Sequence, residues 1–204
     1  MTALARPPAP AGDGLVLTHG AGTGSDAPLL LALAEAFAAA GLSVLRYELP
    51  FRRARPTGPP SPASAAADRE GLRQAAQSLR ASLAGRVFLG GHSYGGRQAS
   101  ILAASEPRLV DALLLLAYPL HPPRRPGELR IAHFAELRTP ALFVHGSRDP
   151  FGSLDELEAA RQRIPARTAL WALDGAGHDL RGAKPGGGSV SITIAEAFVR
   201  FVGA

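Results

Sequence analysis

Short apolar runs alternate along most of the chain with stretches whose apolar residues recur every three or four positions. The run "GLVLTHG" (14–20) ends in glycine and is expected to be a strand. It is followed by "SDAPLLLALAEAFAAAG", a helical pattern with Asp26 placed as N-cap, Pro28 in the first turn and Gly41 past the end. "SVLRYEL" is expected to be a second strand, and "PFRRARPTGPPSPAS" a Pro-rich loop. Over residues 65–84, Leu72, Ala76, Leu79 and Leu83 share one face at helical spacing, and Gly85 is the expected stop.

The second half repeats the alternation. "RVFLGG" is expected to be a third strand and 95–105 a helix ending before Pro107. "LVDALLLLAY" is apolar on both faces, which suits a central parallel strand; a buried helix is the alternative the pattern leaves open. A connection over 119–140 leads to the strand "ALFVHG". Ser153 and Glu156 have capping-box spacing for a helix to about residue 164. "RTALWAL" is expected to be a sixth strand, and Ile194, Phe198, Phe201 and Val202 mark one face of a closing helix. Six such βα units without an internal repeat imply an α/β fold, a mostly parallel sheet of about six strands with helices on both faces.

Composition narrows the class. The 204 residues suit one domain with a real core, residues 1–13 forming a Pro-rich N-terminal segment. An apolar share of 46% against 19% charged residues is that of a globular chain. The absence of cysteine excludes disulfides and a thiol nucleophile. The formal charge of +5 comes from arginine, Lys184 being the only lysine. The arginines are dispersed, with small groups at Arg52, Arg53 and Arg55 and at Arg124 and Arg125. A solvated basic surface is therefore expected, with no nucleic-acid partner. "ALLLLA" falls far short of the roughly 20 apolar residues of a membrane span, and "MTALARPPAP" has no signal-peptide core. These features point to a cytoplasmic protein without a membrane partner.

In parallel sheets, chemistry gathers at the carboxyl ends of the strands. Those positions hold His19-Gly20-Ala21-Gly22, Tyr47-Glu48, His92-Ser93-Tyr94, Tyr118, Asp149 and His178. The glycine loop "HGAG" admits three readings. A nucleotide-triphosphate loop would need Lys-Ser or Lys-Thr, and no lysine precedes Lys184. A dinucleotide fingerprint would place Glu48 on a ribose but requires glycine where the chain has Ser25. The third reading is an oxyanion site.

That third reading rests on "GGHSYGG". Gly91-His92-Ser93-Tyr94-Gly95 matches G-x-S-x-G, with an apolar run before it and a helical pattern after it, the context of a nucleophile elbow. Serine needs a general base, and the base a group that orients it. Asp149 and His178 follow in the chain order that such an elbow requires. Ser93 is thus the candidate nucleophile, His178 the base and Asp149 the orienting acid. The oxyanion donors expected are the N–H of Tyr94 and, from the glycine loop, that of Ala21, with Gly22 next in line. His19, Gly22, His92, Tyr47, Phe51 and Tyr118 are the candidate pocket residues.

On "LTHGAG", "GGHSYGGR", "YPLHPP", "LFVHGSRDPFG" and "GAGHDL", the chain resembles the α/β-hydrolase superfamily over essentially its whole length. More narrowly, it resembles the small lidless dienelactone-hydrolase-like and testis-expressed hydrolase-like proteins. The resemblance implies a three-layer sandwich without a cap domain and a serine hydrolase working through Ser93, Asp149 and His178. It departs from the superfamily pattern of eight strands, since only about 13 residues precede the first expected strand. The segment 119–140 is also too short for a helical cap.

The expected function is hydrolysis of a small ester-type substrate with water as co-substrate. No cofactor and no metal are implied. A catalytically idle scaffold for a protein partner is the alternative from another class, and a dinucleotide-dependent enzyme a weaker one. His19 is expected to shape its loop, and His121, His133 and His145 to be structural or exposed. Trp171 is assigned to the core. The loop 50–64 borders the site; its arginines are read as solvated in preference to substrate-binding.

Overall fold

The computed structural model describes residues 3–5, 12–182 and 189–203. Seven strands form one open sheet: β1 (Ala3–Ala5), β2 (Gly14–Thr18), β3 (Ser43–Tyr47), β4 (Val87–His92), β5 (Ala112–Leu116), β6 (Ala141–Gly146) and β7 (Thr168–Leu173). Their spatial order is β1-β3-β2-β4-β5-β6-β7. All neighbouring pairs are parallel except β1 with β3. The edge strand β1 lies in the segment expected to be only Pro-rich. It pairs Ala3–Ala5 with Arg46–Val44, so the sheet has one strand more than the periodicity predicts.

Alternation along the strands divides the core between the two faces. Leu15 and Leu17 of β2, Leu114 and Leu116 of β5 and Val144 of β6 pack with α1 (Pro28–Ala39) and α6 (Val190–Gly203). Phe198 of α6 meets Phe37 and Phe88 edge-on, at ring separations of 5.8 and 5.3 Å. Val16, Leu89, Leu113, Leu115 and Phe143 point the other way. They pack under α2 (Pro50–Ala54), α3 (Ser64–Ala81), α4 (Tyr94–Ser105) and α5 (Leu154–Arg161). The all-buried β5 is the strand that its two-faced apolar run suggested.

Local chemistry explains the ends of the helices. Gly41 follows α1 at φ +93°, a conformation that glycine adopts without a Cβ clash. Asp26 does not cap α1: Ala27 occupies that position without a side-chain bond, and Pro28 starts the helix, its missing N–H being no loss there. Ser153 and Glu156 make the reciprocal capping box of α5. Within the expected Pro-rich loop, Pro50 starts the short helix α2 in the same manner. In the connection after β5, a 3-10 turn spans Phe134–Glu136.

The chain runs from β2 outward to β3 and then returns to β4 on the other side of β2. The loops after β2 and β4 therefore diverge, opening a crevice at the carboxyl end of the sheet.

Candidate functional site

Ser93 occupies the turn between β4 and α4 at φ 51°, ψ −116°. Positive φ is costly for a residue with a Cβ. The turn closes because its neighbours lack side chains: a Cβ on Gly91 would lie 2.6 Å from the Gly96 nitrogen, and one on Gly95 2.5 Å from the His19 carbonyl oxygen. The Ser93 N–H donates to the Leu116 carbonyl at 2.8 Å, tying the turn to β5.

Loops after β6 and β7 bring two further side chains to Ser93. His178 Nε2 lies 2.8 Å from Ser93 Oγ, and His178 Nδ1 lies 2.8 Å from Asp149 Oδ2. The other oxygen of Asp149 accepts the Phe151 N–H at 2.9 Å. The Asp149 side chain is fully buried, while the imidazole of His178 remains partly open to the crevice. Since a carboxylate only accepts, Nδ1 carries the proton, leaving the Nε2 lone pair facing the serine hydroxyl.

Two rings hold His178. Phe151 stacks on it at 4.2 Å with 30° between planes. His92 donates from Nε2 to the His178 carbonyl oxygen at 2.7 Å, fixing the loop that carries His178. Burial pushes His92 below the ordinary histidine value, the nearby His178 adding to the effect against the pull of that carbonyl.

The glycine loop after β2 faces this group. Gly20, Ala21 and Gly22 line the same cleft, of about 660 Å³, as Ser93, Tyr94 and His178. His19 lies behind the loop and is fully buried. Its Nδ1 donates to the Gly20 carbonyl at 2.8 Å, and its Nε2 accepts the Leu49 N–H at 3.1 Å. The second bond requires an unprotonated Nε2 and hence the neutral ring, and burial, the largest influence, lowers its pKa. Because the peptide is planar and trans, holding the Gly20 carbonyl also sets the direction of the Ala21 N–H on its far side.

Arg52 of α2 clamps the loop from outside. It donates to the carbonyls of Ala21 and of Thr23, the latter at 3.0 Å, and also to Pro56 at 2.9 Å and Gly58 at 3.2 Å. Arg53 donates to the Glu48 carbonyl at 2.8 Å. These arginines are occupied with backbone oxygens. Glu48, the residue a ribose would have claimed, accepts the Ser25 hydroxyl at 2.9 Å.

Of the expected pocket residues, His92 and Gly22 line the cleft, and His19 stands behind it. The rings of Tyr47, Phe51 and Tyr118 lie in the core. Phe51 packs against Tyr94 and His19, and Tyr118 donates its hydroxyl to the Arg130 carbonyl. Sequence reasoning missed Phe151, Arg97, Gln98 and Arg130 as lining residues. For Arg97 a signal was present: it stands four residues after Ser93 on a helix, hence on the same face.

A family model described as "Alpha/beta hydrolase domain" matches residues 11–202, nearly the whole chain. The chain belongs to the α/β-hydrolase family. Solved structures agree on the fold of this α/β hydrolase. It is similar to a dienelactone hydrolase from Anabaena variabilis at 20% identity and TM-score 0.75, covering 98% of this chain and 89% of that one. It is similar to the protein Est1E from Butyrivibrio proteoclasticus, solved with ferulic acid, at 15% identity and TM-score 0.77, covering 100% and 96%. A lidless serine hydrolase from Xanthomonas campestris is similar at 16% identity and TM-score 0.68, covering 98% and 87%. Among the described residues, no helix of this α/β hydrolase is long and apolar enough to cross a membrane.

Proposed function

We propose that this α/β hydrolase is a serine hydrolase that cleaves a small ester-type substrate through an acyl-enzyme. The observation that carries this reading is the unbroken hydrogen-bonded chain from Ser93 Oγ through His178 to buried Asp149. Ser93 Oγ attacks the substrate carbonyl carbon while His178 Nε2 takes the hydroxyl proton. Asp149 stabilises the imidazolium through Nδ1–H without itself taking the proton. Collapse of the tetrahedral intermediate breaks the carbonyl–oxygen bond of the ester, and His178 returns the proton to the departing alcohol. Water then attacks the acyl-enzyme with His178 again as base, releasing the acid and restoring Ser93.

The oxyanion of each intermediate is assigned to the N–H groups of Tyr94 and Ala21. Tyr94 is the first residue of α4, where helical N–H groups have no acceptor within the helix. The Ala21 N–H is aimed through the Gly20 carbonyl that His19 holds. Two such donors act mainly in the transition state, when charge develops on the carbonyl oxygen.

The test is turnover of a panel of p-nitrophenyl esters, aryl lactones and thioesters. The reading expects hydrolysis of at least one class, lost in Ser93→Ala protein of unchanged circular dichroism. A folded wild-type protein inert toward every class would favour a non-catalytic scaffold. Unaltered turnover in Ser93→Ala would place the chemistry elsewhere.

A further inference from the structure

The cleft beside Ser93 is asymmetric in charge. Pro59, Pro60, Pro62, Ala65 and Phe151 supply apolar wall, and no carboxylate lines it. Its polar end holds Arg97, Gln98 and Arg130. Among the described residues, neither guanidinium forms an ion pair or donates a hydrogen bond, whereas Arg52, Arg73, Arg80 and Arg86 all have acceptors. Arg97 Nε is buried without a hydrogen-bond partner, and so is Gln98 Nε2. The orientation of the Gln98 amide is determinate: its oxygen accepts from Arg69 Nη1 at 2.8 Å, so its NH₂ is what remains unmatched.

Buried donors without acceptors are expensive, and two neighbouring cations without a bonded counter-charge more so. The carboxylate of Glu128 acts on Arg130 only from a distance, being exposed and bonded to Arg125 at 3.3 Å, and Tyr118 and His133 bring no negative charge. The Tyr118 hydroxyl is committed to the Arg130 carbonyl, and burial raises its pKa. His133, bonded to the Ser100 hydroxyl at 2.8 Å, is pushed down to about 4 by burial and by the Arg97 charge. The arrangement consists of donors waiting for an anion. Arg97 stands one helical turn from Ser93, about 6 Å between Cβ positions. An anion there would thus belong to the molecule whose carbonyl meets the serine.

We propose that Arg97, Arg130 and Gln98 form a carboxylate subsite, making the preferred substrate an ester or lactone that bears a carboxylate a short apolar chain away from the scissile carbonyl. A planar carboxylate suits the guanidinium fork, and its lone pairs satisfy the amide as well. The apolar wall takes the intervening carbons. This deepens the hydrolase reading and rests on it for the identity of the reacting bond, though not for binding.

Binding is therefore measured apart from turnover. In Ser93→Ala protein, calorimetric titration compares monomethyl glutarate with the uncharged methyl hexanoate. The charged ligand should bind about 10–100-fold more tightly, the range expected for hydrogen bonds to a charged group. Arg97→Gln, added to Ser93→Ala, should collapse that ratio toward one. Arg130→Gln is the second variant, informative even if Arg97→Gln does not fold. Equal affinity for the two ligands, no binding of either, or a preference that survives both substitutions would overturn the subsite. The parallel turnover experiment sets p-nitrophenyl hemiglutarate against p-nitrophenyl hexanoate, with the subsite expected to appear as a lower KM for the charged ester. Arginine-dependent carboxylate binding, with neither of these esters nor any member of the ester, lactone and thioester panel turned over, would uphold the subsite and refute the hydrolase reading.

Discussion

The two flanks of the cleft are built by opposite strategies. On the flank fed by β4, β6 and β7, the groups proposed to react are side chains, joined by two 2.8 Å contacts from Ser93 to Asp149. On the flank fed by β2 and β3, the proposed working group is a backbone N–H, and side chains serve to hold it. His19 grips the Gly20 carbonyl from beneath, and Arg52 grips Ala21 and Thr23 from outside. The difference teaches where sensitivity should lie. A side-chain flank loses its chemistry when one residue is truncated. A backbone flank degrades in steps, as successive supports of the loop are removed.

Removing Ser93 or His178 should have the largest effect. Ser93→Ala and His178→Ala should each cost turnover by roughly 10⁶-fold and to nearly equal extents, because the group works as a unit. Additive losses in the double variant, measured with an activated ester, would break the picture of one coupled flank. Asp149→Asn should cost about 10⁴-fold, by favouring the wrong imidazole tautomer. Retention of near wild-type turnover there would remove Asp149 from the chain.

The backbone flank should respond less. Ala21→Pro deletes one N–H and should lower kcat by about 100–1,000-fold with little change in KM. Ala21→Gly, which keeps the N–H, should stay close to wild type. Arg52→Gln leaves the N–H in place and loosens only its support, so a loss of about 10-fold in kcat is expected. If Arg52→Gln matched Ala21→Pro, support and donor would be inseparable, and the stepwise contrast would fail.

Acid should be the mildest perturbation and should touch both flanks through stability. His133 titrates at about 4 because burial, then the Arg97 charge, disfavour its charged form. The unfolded chain, at the ordinary 6.5, takes up the proton first as pH falls. The stability contributed by neutral His133 is therefore complete above pH 6.5 and is lost progressively between 6.5 and 4. His19, also lowered by burial, acts in the same direction on the other flank. Tm should fall between pH 7 and pH 5, and His133→Phe should flatten the fall. A Tm constant over that interval would contradict this assignment.

The same contrast explains what was legible in the sequence. Ser93 directly follows β4, Asp149 and His178 stand in the short loops just after β6 and β7, and the glycines that let Ser93 adopt φ 51° lie within a few residues of it in the chain. The capping box of Ser153 and Glu156 is equally local. By contrast, the sequence shows Arg52 only as a solvated arginine, because its acceptors, Ala21 and Thr23, lie 31 and 29 residues away. The strand Ala3–Ala5 escaped because three residues carry no period and its partner is distant. Helix α2, at five residues, is likewise too short to show a period. Tyr47 and Tyr118 stand near strand ends as a pocket would require, yet the core claims their rings. The cationic end of the cleft depends on Arg97 and Arg130 meeting across 33 positions, which no local pattern announces.

The central claim is that His178 and Asp149 activate Ser93 for covalent attack. The most direct measurement is the intact mass of the protein after exposure to a fluorophosphonate, followed by peptide mapping. The account predicts a single adduct on Ser93, absent in Ser93→Ala and strongly slowed in His178→Ala. An unlabelled wild-type protein, or an adduct on any other residue, would contradict it.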